Sequence, residues 1–346
     1  MTEAGYDAFL LLSFGGPQGP DDVLPFLRNV TAGRGISDQR LAEVAEHYQH
    51  FGGVSPITAQ NEALLAALAA EFARRGIDLP VYFGNRNWHP FVTDTARRMV
   101  ADGCRNALVL TTSATGSYSG CRQYREDLRR ALDELPEQPP RLSFTKLRHY
   151  FDQPGFIAAN ADAVRAALAQ LPEKHRDSAR LVFTAHSVPV SMNQTAGPSG
   201  GLYLAQHRAT AGLVAGAVRG DGAEFDLVWQ SRSGPPQVPW LEPDINDHLR
   251  TLAAAGTQAV VVAPTGFVSD HLEVKWDLDE QARTTAAELG LVFVRAATAG
   301  THPAFVSGLV DLVAEQLDGR PPESLSDLGV CGWQCPADCC PAPARR

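Results

Sequence analysis

The feature that most constrains this chain is a series of short, unbroken apolar runs spread along its length and separated by stretches of helical periodicity. Ala8–Ser13 is the first, and residues 81–84 and 107–112 repeat the pattern. Each is strand-sized, and none alternates polar with apolar as a strand with one wet face would. Between them Leu41, Val44, Ala45 and Tyr48, then Leu64, Leu65, Leu68 and Phe72, recur at the spacing that lines one face of a helix. Strands buried on both faces that alternate with helices form βαβ units and a parallel sheet. The second half repeats the scheme, with strands expected at 180–184, Asp226–Gln230, 258–263 and 291–295 and helices such as 247–255 and 269–289. Leu10-Leu11-Leu12-Ser13-Phe14-Gly15-Gly16-Pro17 and Leu181-Val182-Phe183-Thr184-Ala185-His186-Ser187-Val188-Pro189 echo one another as a buried strand, a polar turn and a proline. The expectation is an α/β protein of two Rossmann-like domains, 1–150 and 151–320, each with a parallel four-stranded sheet flanked by helices. The boundary lies near Tyr150, and residues 321–346 read as a linker and a cysteine-rich tail.

Composition narrows the function classes. A chain of 346 residues is long enough for about two domains. With 44% hydrophobic and 20% charged residues it is neither disordered nor fibrous. A formal net charge of -9 removes the basic footprint of a nucleic-acid binder. The apolar run 8–14 follows Glu3 and Asp7 instead of a basic segment, and it is far shorter than the ~20 residues of a membrane span. A soluble, cytoplasmic protein is expected, with no stable membrane attachment.

Ligands of open parallel sheets bind beyond the carboxyl ends of the strands, so the residues that follow each strand are the candidates. His186 is the foremost, since its ring is placed to face a cleft; a hydrogen-bonded structural histidine is about as common at such a position. Gly266-Phe267-Val268-Ser269-Asp270-His271-Leu272-Glu273 leaves a strand in the second half, with Ser269 or Asp270 able to cap the helix that follows. On that helix Glu273, Asp277 and Glu280 stand at i, i+4 and i+7, an acidic stripe. Such stripes are usually solvated faces; one that begins a turn after a strand end is also placed to hold a divalent cation. Gly15, Gly16 and Gly19 lack the spacing of a nucleotide-binding loop and read as a structural turn.

The cysteines are unevenly placed: Cys331, Cys335, Cys339 and Cys340 fall in the last 16 residues, and Cys104 and Cys121 stand apart. Clustered thiols in a reducing compartment bind metal more often than they form disulfides. An iron–sulfur cluster, a zinc site and unligated thiols are all open on spacing alone. Cys121 reads as a cleft-loop residue and reserve ligand, and Cys104 as a buried small hydrophobe.

Thr184-Ala185-His186-Ser187-Val188-Pro189 and the 266–273 segment resemble the two signature motifs of the ferrochelatases, the enzymes that insert ferrous iron into a porphyrin. Further segments agree in order: Leu12–Pro17 as written above, Phe51-Gly52-Gly53-Val54-Ser55-Pro56, Gly84-Asn85-Arg86-Asn87-Trp88, Gln230-Ser231-Arg232-Ser233-Gly234-Pro235 and Trp240-Leu241-Glu242-Pro243. The tail Cys335-Pro336-Ala337-Asp338-Cys339-Cys340-Pro341 resembles that of actinobacterial members, which carry a [2Fe-2S] cluster and act on coproporphyrin III.

The resemblance implies a class II chelatase fold, a porphyrin and Fe²⁺ as substrates, and a [2Fe-2S] cofactor. His186 and Glu273 would be the catalytic pair and the ligands of the incoming Fe²⁺. Asp277 and Glu280 would form an accessory cation site. Ser55, Tyr124, Phe14 and Tyr48 would contact the tetrapyrrole. Phe14 stands where several relatives have a tyrosine over the metal, and a phenyl ring keeps only the stacking. Thr31 and His47 replace arginines that pair with propionates in some relatives, which leaves Arg34 as the expected donor. Some relatives take a cluster ligand from the position near Ala159, where this chain has no cysteine, so all four ligands would come from Cys331, Cys335, Cys339 and Cys340. A monomer with transient contacts to neighbouring haem-pathway enzymes is expected.

Overall fold

A computed structural model of the chain describes residues 5–33, 35–136, 141–234, 237–332, 334–336 and 338–342. The chain forms two compact units: Met1–Thr112 with Tyr124–Leu147 and Ser269–Trp276, and Ser113–Gln123 with Arg148–Val268 and Asp277–Arg346. Each is built on one sheet.

In the first unit β1 (Ala8–Ser13) lies between β2 (Val81–Asn85) and β3 (Asn106–Thr111), and β4 (Ser143–Lys146) adds to the far side of β3. All pairings are parallel, with Leu10 opposite both Tyr82 and Val109. Every residue of β1 is buried, which is why its sequence is one apolar run: helices cover both faces of a central parallel strand. Strand β4, four residues that include Ser143, Thr145 and Lys146, shows no apolar run and no candidate strand was read there. Gly15 follows β1 with φ +84, and a side chain there would press on Asn85 and Trp88, so the glycine belongs to the turn.

The second unit repeats the plan. Strand β5 (Arg180–His186) is flanked by β6 (Asp226–Gln230) and β7 (Ala259–Ala263), with β8 (Val292–Arg295) beyond β7. Again all strands are parallel, and Phe183 faces both Leu227 and Ala263. Strand β5 runs to His186 itself, two residues further than the sequence pattern indicated. Helix Pro154–Gln170 packs against helices Leu202–Arg219 and Pro303–Asp318. Arg148 makes a two-pronged pair with Glu315 of the last of these helices, at 2.8 Å for both bonds, with side chains only 1% and 4% exposed.

Two expectations change. The helix expected at 269–289 is three pieces: Leu272–Val274, a π-helix at Lys275–Ala282 and Arg283–Glu288. Ahead of it, Ser269 Oγ donates to Asn61 Oδ1 at 3.2 Å, and the backbone N–H of Asp270 donates to Gln60 Oε1 at 2.7 Å. His271 caps instead, with its Nδ1 accepting from Val274 N at 3.4 Å. Second, the linker is docked on the second unit. Asp152 accepts from the hydroxyls of Ser324 and Ser326, each at 2.5 Å, and Arg148 donates to Glu323 O at 2.7 Å. No helix among the described residues is long and apolar enough to cross a membrane.

Candidate active site

At the carboxyl end of β1, Ser13 Oγ accepts from Asn61 Nδ2 at 2.7 Å and from Thr112 Oγ1 at 2.9 Å. With the Ser269 bond to Asn61 these make a buried polar chain that fixes the turn leading to Phe14. Phe14 is 38% exposed, edge-on to Phe26 with ring centroids 6.4 Å apart. An exposed phenyl ring at a central strand end is a surface on which a planar apolar ligand can stack. Ser55 is buried, its N–H donating to Pro17 O at 2.8 Å. Tyr124 is buried with the Arg86 guanidinium 4.5 Å from its ring centre; burial pushes its phenol pKa up, against Arg86 and Thr112, which lower it. Tyr48 packs inside the helical core against Phe26. Arg34 lies outside the described residues.

Arg86 is the residue here to which the motif reading gave no role. Its side chain is 4% exposed and bonded to Asp127, which also receives Arg130, and its guanidinium reaches the rings of both Tyr124 and Phe14. The signal was in the sequence: Arg86 directly follows β2, where strand-end chemistry is expected. His47, one of the residues in place of an arginine, stacks on Trp276 with centroids 4.0 Å apart, and burial, then Arg40, lowers its pKa.

In the second unit His186 ends β5, paired in register with Gln230 of β6. Its Nδ1 lies 2.5 Å from Ser187 O. A carbonyl oxygen only accepts, so Nδ1 carries the proton and the basic lone pair is on Nε2. Tyr203 Oη donates to His186 O at 2.8 Å and fixes the backbone from behind. Gly266 backs the same strand end; a Cβ there would come 2.6 Å from that of Ala185. Beside it Asp277 accepts from Ser231 Oγ and from Gln230 Nε2, the latter at 3.3 Å, and Gln230 in turn accepts from Thr184 at 2.9 Å. Gln230, Ser231 and Asp277 rim a polar pocket of about 150 Å³ that also includes Asp244, Asn246 and Gln281.

The three carboxylates of the expected stripe are not equivalent. Glu273 is exposed on the short helix Leu272–Val274 of the first unit, whereas Asp277 and Glu280 sit on the π-helix of the second. A π-helix has more residues per turn than an α-helix, so the i, i+4, i+7 alignment is not kept. Among the described residues no three His, Cys, Asp or Glu side chains are gathered as a ready metal cage.

A family model described as ferrochelatase matches residues 6–317. The chain belongs to the ferrochelatase family. A protein of Nocardia farcinica named coproporphyrin III ferrochelatase is 58% identical over 98% of this chain and 97% of its own length. Another of that name from Mycolicibacterium smegmatis is 56% identical over 92% of each. Among solved structures, SirB from Bacillus subtilis with Fe3+ aligns at a TM-score of 0.52 and 13% identity, over 90% of this chain and 96% of that one. At that identity the match speaks for the fold, a chelatase's paired sheets, and for nothing finer.

The ferrochelatase model stops short of the cysteines, and the tail there is packed on the second unit. Arg122 Nε donates to Cys339 O at 2.8 Å and its Nη2 to Pro336 O at 2.9 Å. Cys339 and Cys340 are buried with sulfurs 3.7 Å apart. Adjacent side chains on extended backbone diverge; Cys340 has φ 53, in the left-handed region, which turns the two thiols together. Gly197 N–H donates to Cys340 Sγ at 3.1 Å. Burial pushes the Cys340 thiol up to about 12, with that N–H opposing and Cys339 and Cys121 adding. Cys331 Sγ lies 3.3 Å from His149 Nδ1 and 3.5 Å from Gln206 Nε2. Cys335 is half-buried.

Proposed function

We propose that this ferrochelatase inserts Fe²⁺ into coproporphyrin III and releases Fe-coproporphyrin III, coprohaem, for haem synthesis in the cytoplasm. The observation that carries this reading is the 58% identity, over 98% of the chain, to a protein named for that substrate. Insertion exchanges one Fe²⁺ for the two protons of the pyrrole nitrogens, so the enzyme must hold the ion and accept protons. His186 Nε2, the ring nitrogen that carries the lone pair when Nδ1 donates to Ser187 O, serves one of these tasks. Glu273 supplies the second acceptor, and its carboxylate offsets the charge of the incoming cation. Asp277 and Glu280 form the accessory cation site; in its favour, Asp277 faces a polar pocket in which Ser231 and Gln230 orient its carboxylate. Phe14 stacks on the macrocycle, and Ser55, Tyr124, Tyr48 and Arg34 complete the tetrapyrrole contacts.

The tail holds a [2Fe-2S] cluster. Two thiolates on one tetrahedral metal with ~2.3 Å bonds stand ~3.7 Å apart, and the Cys339 and Cys340 sulfurs are 3.7 Å apart. The donor set is all thiol. The cluster would add redox-active iron to the tail, and Arg122, Gly197 and the left-handed turn at Cys340 would hold its ligands. The protein acts as a monomer, with transient contacts to neighbouring enzymes of the pathway. An anaerobic assay with coproporphyrin III or protoporphyrin IX and Fe²⁺ tests the substrate. Faster loss of the free coproporphyrin spectrum is expected, and equal or faster turnover of protoporphyrin overturns the assignment.

A further inference from the structure

Glu273 stands on a helix of three residues, Leu272–Val274, which is too short to hold its own shape. One turn of backbone is closed around it by the His271 cap and by Lys275 N–H, which donates to His271 O at 3.0 Å. Where that turn lies is set by what grips it on either side. Ahead of the carboxylate, Leu272 is 3% exposed and belongs to the core that helices Val23–Val30 and Asp38–His50 build around Phe26, Leu41 and Tyr48. Behind it, Trp276 is the last residue of the first unit before the chain passes to the second. Its indole lies flat on His47, with ring centroids 4.0 Å apart and planes 11° apart. His50 and Phe51 meet the same indole edge-on at 5.7 and 6.4 Å, and the Lys275 ammonium lies 5.2 Å from the centre of Phe51. The end of helix Asp38–His50 thus clamps the far side of the turn through the faces and edges of rings, which fixes position without a hydrogen bond.

We propose that His47 is a positioning residue for Glu273: the face of its ring, stacked on Trp276, fixes the turn that carries the carboxylate, and the ring does not itself meet the porphyrin. This rests on the reading of Glu273 as a proton acceptor. Such a group works only where the proton is within its reach, so a turn that shifts by about 1 Å loses rate while the substrate still binds. The face of the imidazole is what the role requires, and its two nitrogens are dispensable.

The test uses the full-length protein in anaerobic Fe²⁺ insertion into coproporphyrin III, with kcat and KM read separately and porphyrin affinity followed by fluorescence quenching. His47→Ala should lower kcat on the order of ten- to a hundred-fold and leave porphyrin KM and affinity unchanged. His47→Phe keeps a flat ring without nitrogens and should restore the wild-type kcat. His47→Gln keeps a nitrogen donor without the ring and should lose as much as His47→Ala. In a Glu273→Gln protein, itself slowed, His47→Ala should cost nothing further, because a residue that acts only through Glu273 has nothing left to position. A wild-type kcat in His47→Ala, a His47→Gln protein faster than His47→Phe, or losses that multiply in the double variant overturn the positioning role. Weaker porphyrin binding in His47→Ala and His47→Phe alike overturns it too, and makes His47 a substrate contact. Glu273→Gln with the wild-type kcat overturns instead the reading of Glu273 on which the role rests.

Discussion

The two sheets run in the same order, β2-β1-β3-β4 and β6-β5-β7-β8, with β1 buried throughout and β5 buried between its end residues Arg180 and His186, yet their carboxyl ends carry different chemistry. After β1 and β2 come a phenyl ring, hydroxyls, an amide and a guanidinium, groups suited to orient a planar ligand. After β5 and β6 come an imidazole with its lone pair on Nε2 and a carboxylate held by Ser231 and Gln230, groups suited to cations and protons. Two sheets of one plan supply two sets of strand ends, and under the proposed function one set would serve binding and the other proton and metal transfer.

The sharpest way to break this contrast is at His186. His186→Ala should cut iron insertion by a factor on the order of 10²–10⁴, the usual worth of a positioned acid–base group. Porphyrin affinity, followed by fluorescence quenching, should stay within about two-fold. Phe14→Ala should do the reverse, weakening porphyrin binding more than it slows the bound complex. Equal losses of affinity and rate in both variants would end the division of tasks.

The buried ion pairs contrast the units in stability. Removing one partner of a buried pair strands the other charge, at a cost of about 3–5 kcal/mol. Arg148→Met strands Glu315, whose side chain is 4% exposed, and frees Glu323 O, so the full penalty is expected in urea denaturation. Arg86→Met leaves Asp127 with Arg130 and should cost less. If the two variants unfold at the same urea concentration, the second pair of Asp127 is worth nothing.

How far the sequence anticipated this depends on the kind of signal. Central strands were legible because burial on both faces writes itself as an unbroken apolar run; β4, at an edge with Ser143 and Thr145, wrote nothing. His186 was legible because strand ends are where ligands bind. The π-helix at Lys275–Ala282 was not, since its widened turns come from backbone bonds between residues five apart, which no residue type in the segment announces. Nor was the His271 cap, nor the bonds of Ser269 Oγ and the Asp270 backbone N–H to Asn61 and Gln60, at separations of 208 and 210, which no local pattern records. Arg86 was legible as part of a motif, but only the fold shows Phe14, Tyr124 and Asp127 beside it.

The back of the second sheet offers a pH test. His207 is fully buried, edge-on to Tyr203 at 4.4 Å and to Trp229, and desolvation pushes its pKa down to about 3. The unfolded chain protonates this ring near pH 6.5, the folded one does not until far lower. Stability from this group is therefore complete above about pH 6.5 and falls as pH drops toward 3, by ~1.4 kcal/mol per pH unit for one proton. His207→Gln, whose amide can still reach Thr115, should remove that slope from unfolding free energies measured between pH 6 and 4. An unchanged slope would assign the effect to other groups.

The smallest effect sits where strain and chemistry meet. Ser231 has φ 61 directly after β6, a conformation costing an ordinary residue ~1–2 kcal/mol, and it is kept there with its hydroxyl on Asp277. Elsewhere in a folded chain alanine is better tolerated than glycine by roughly 0.5–1 kcal/mol. At Ser231 the order should invert: both Ser231→Ala and Ser231→Gly lose the bond to Asp277, but glycine alone is released from the left-handed penalty, so it should be the more stable of the two by about 1 kcal/mol. Paired urea titrations decide it. Alanine the more stable would mean that the turn after β6 relaxes once the hydroxyl is gone, and then the hydrogen bond to the carboxylate, not the backbone fold, is what sets the shape of the pocket around Asp277.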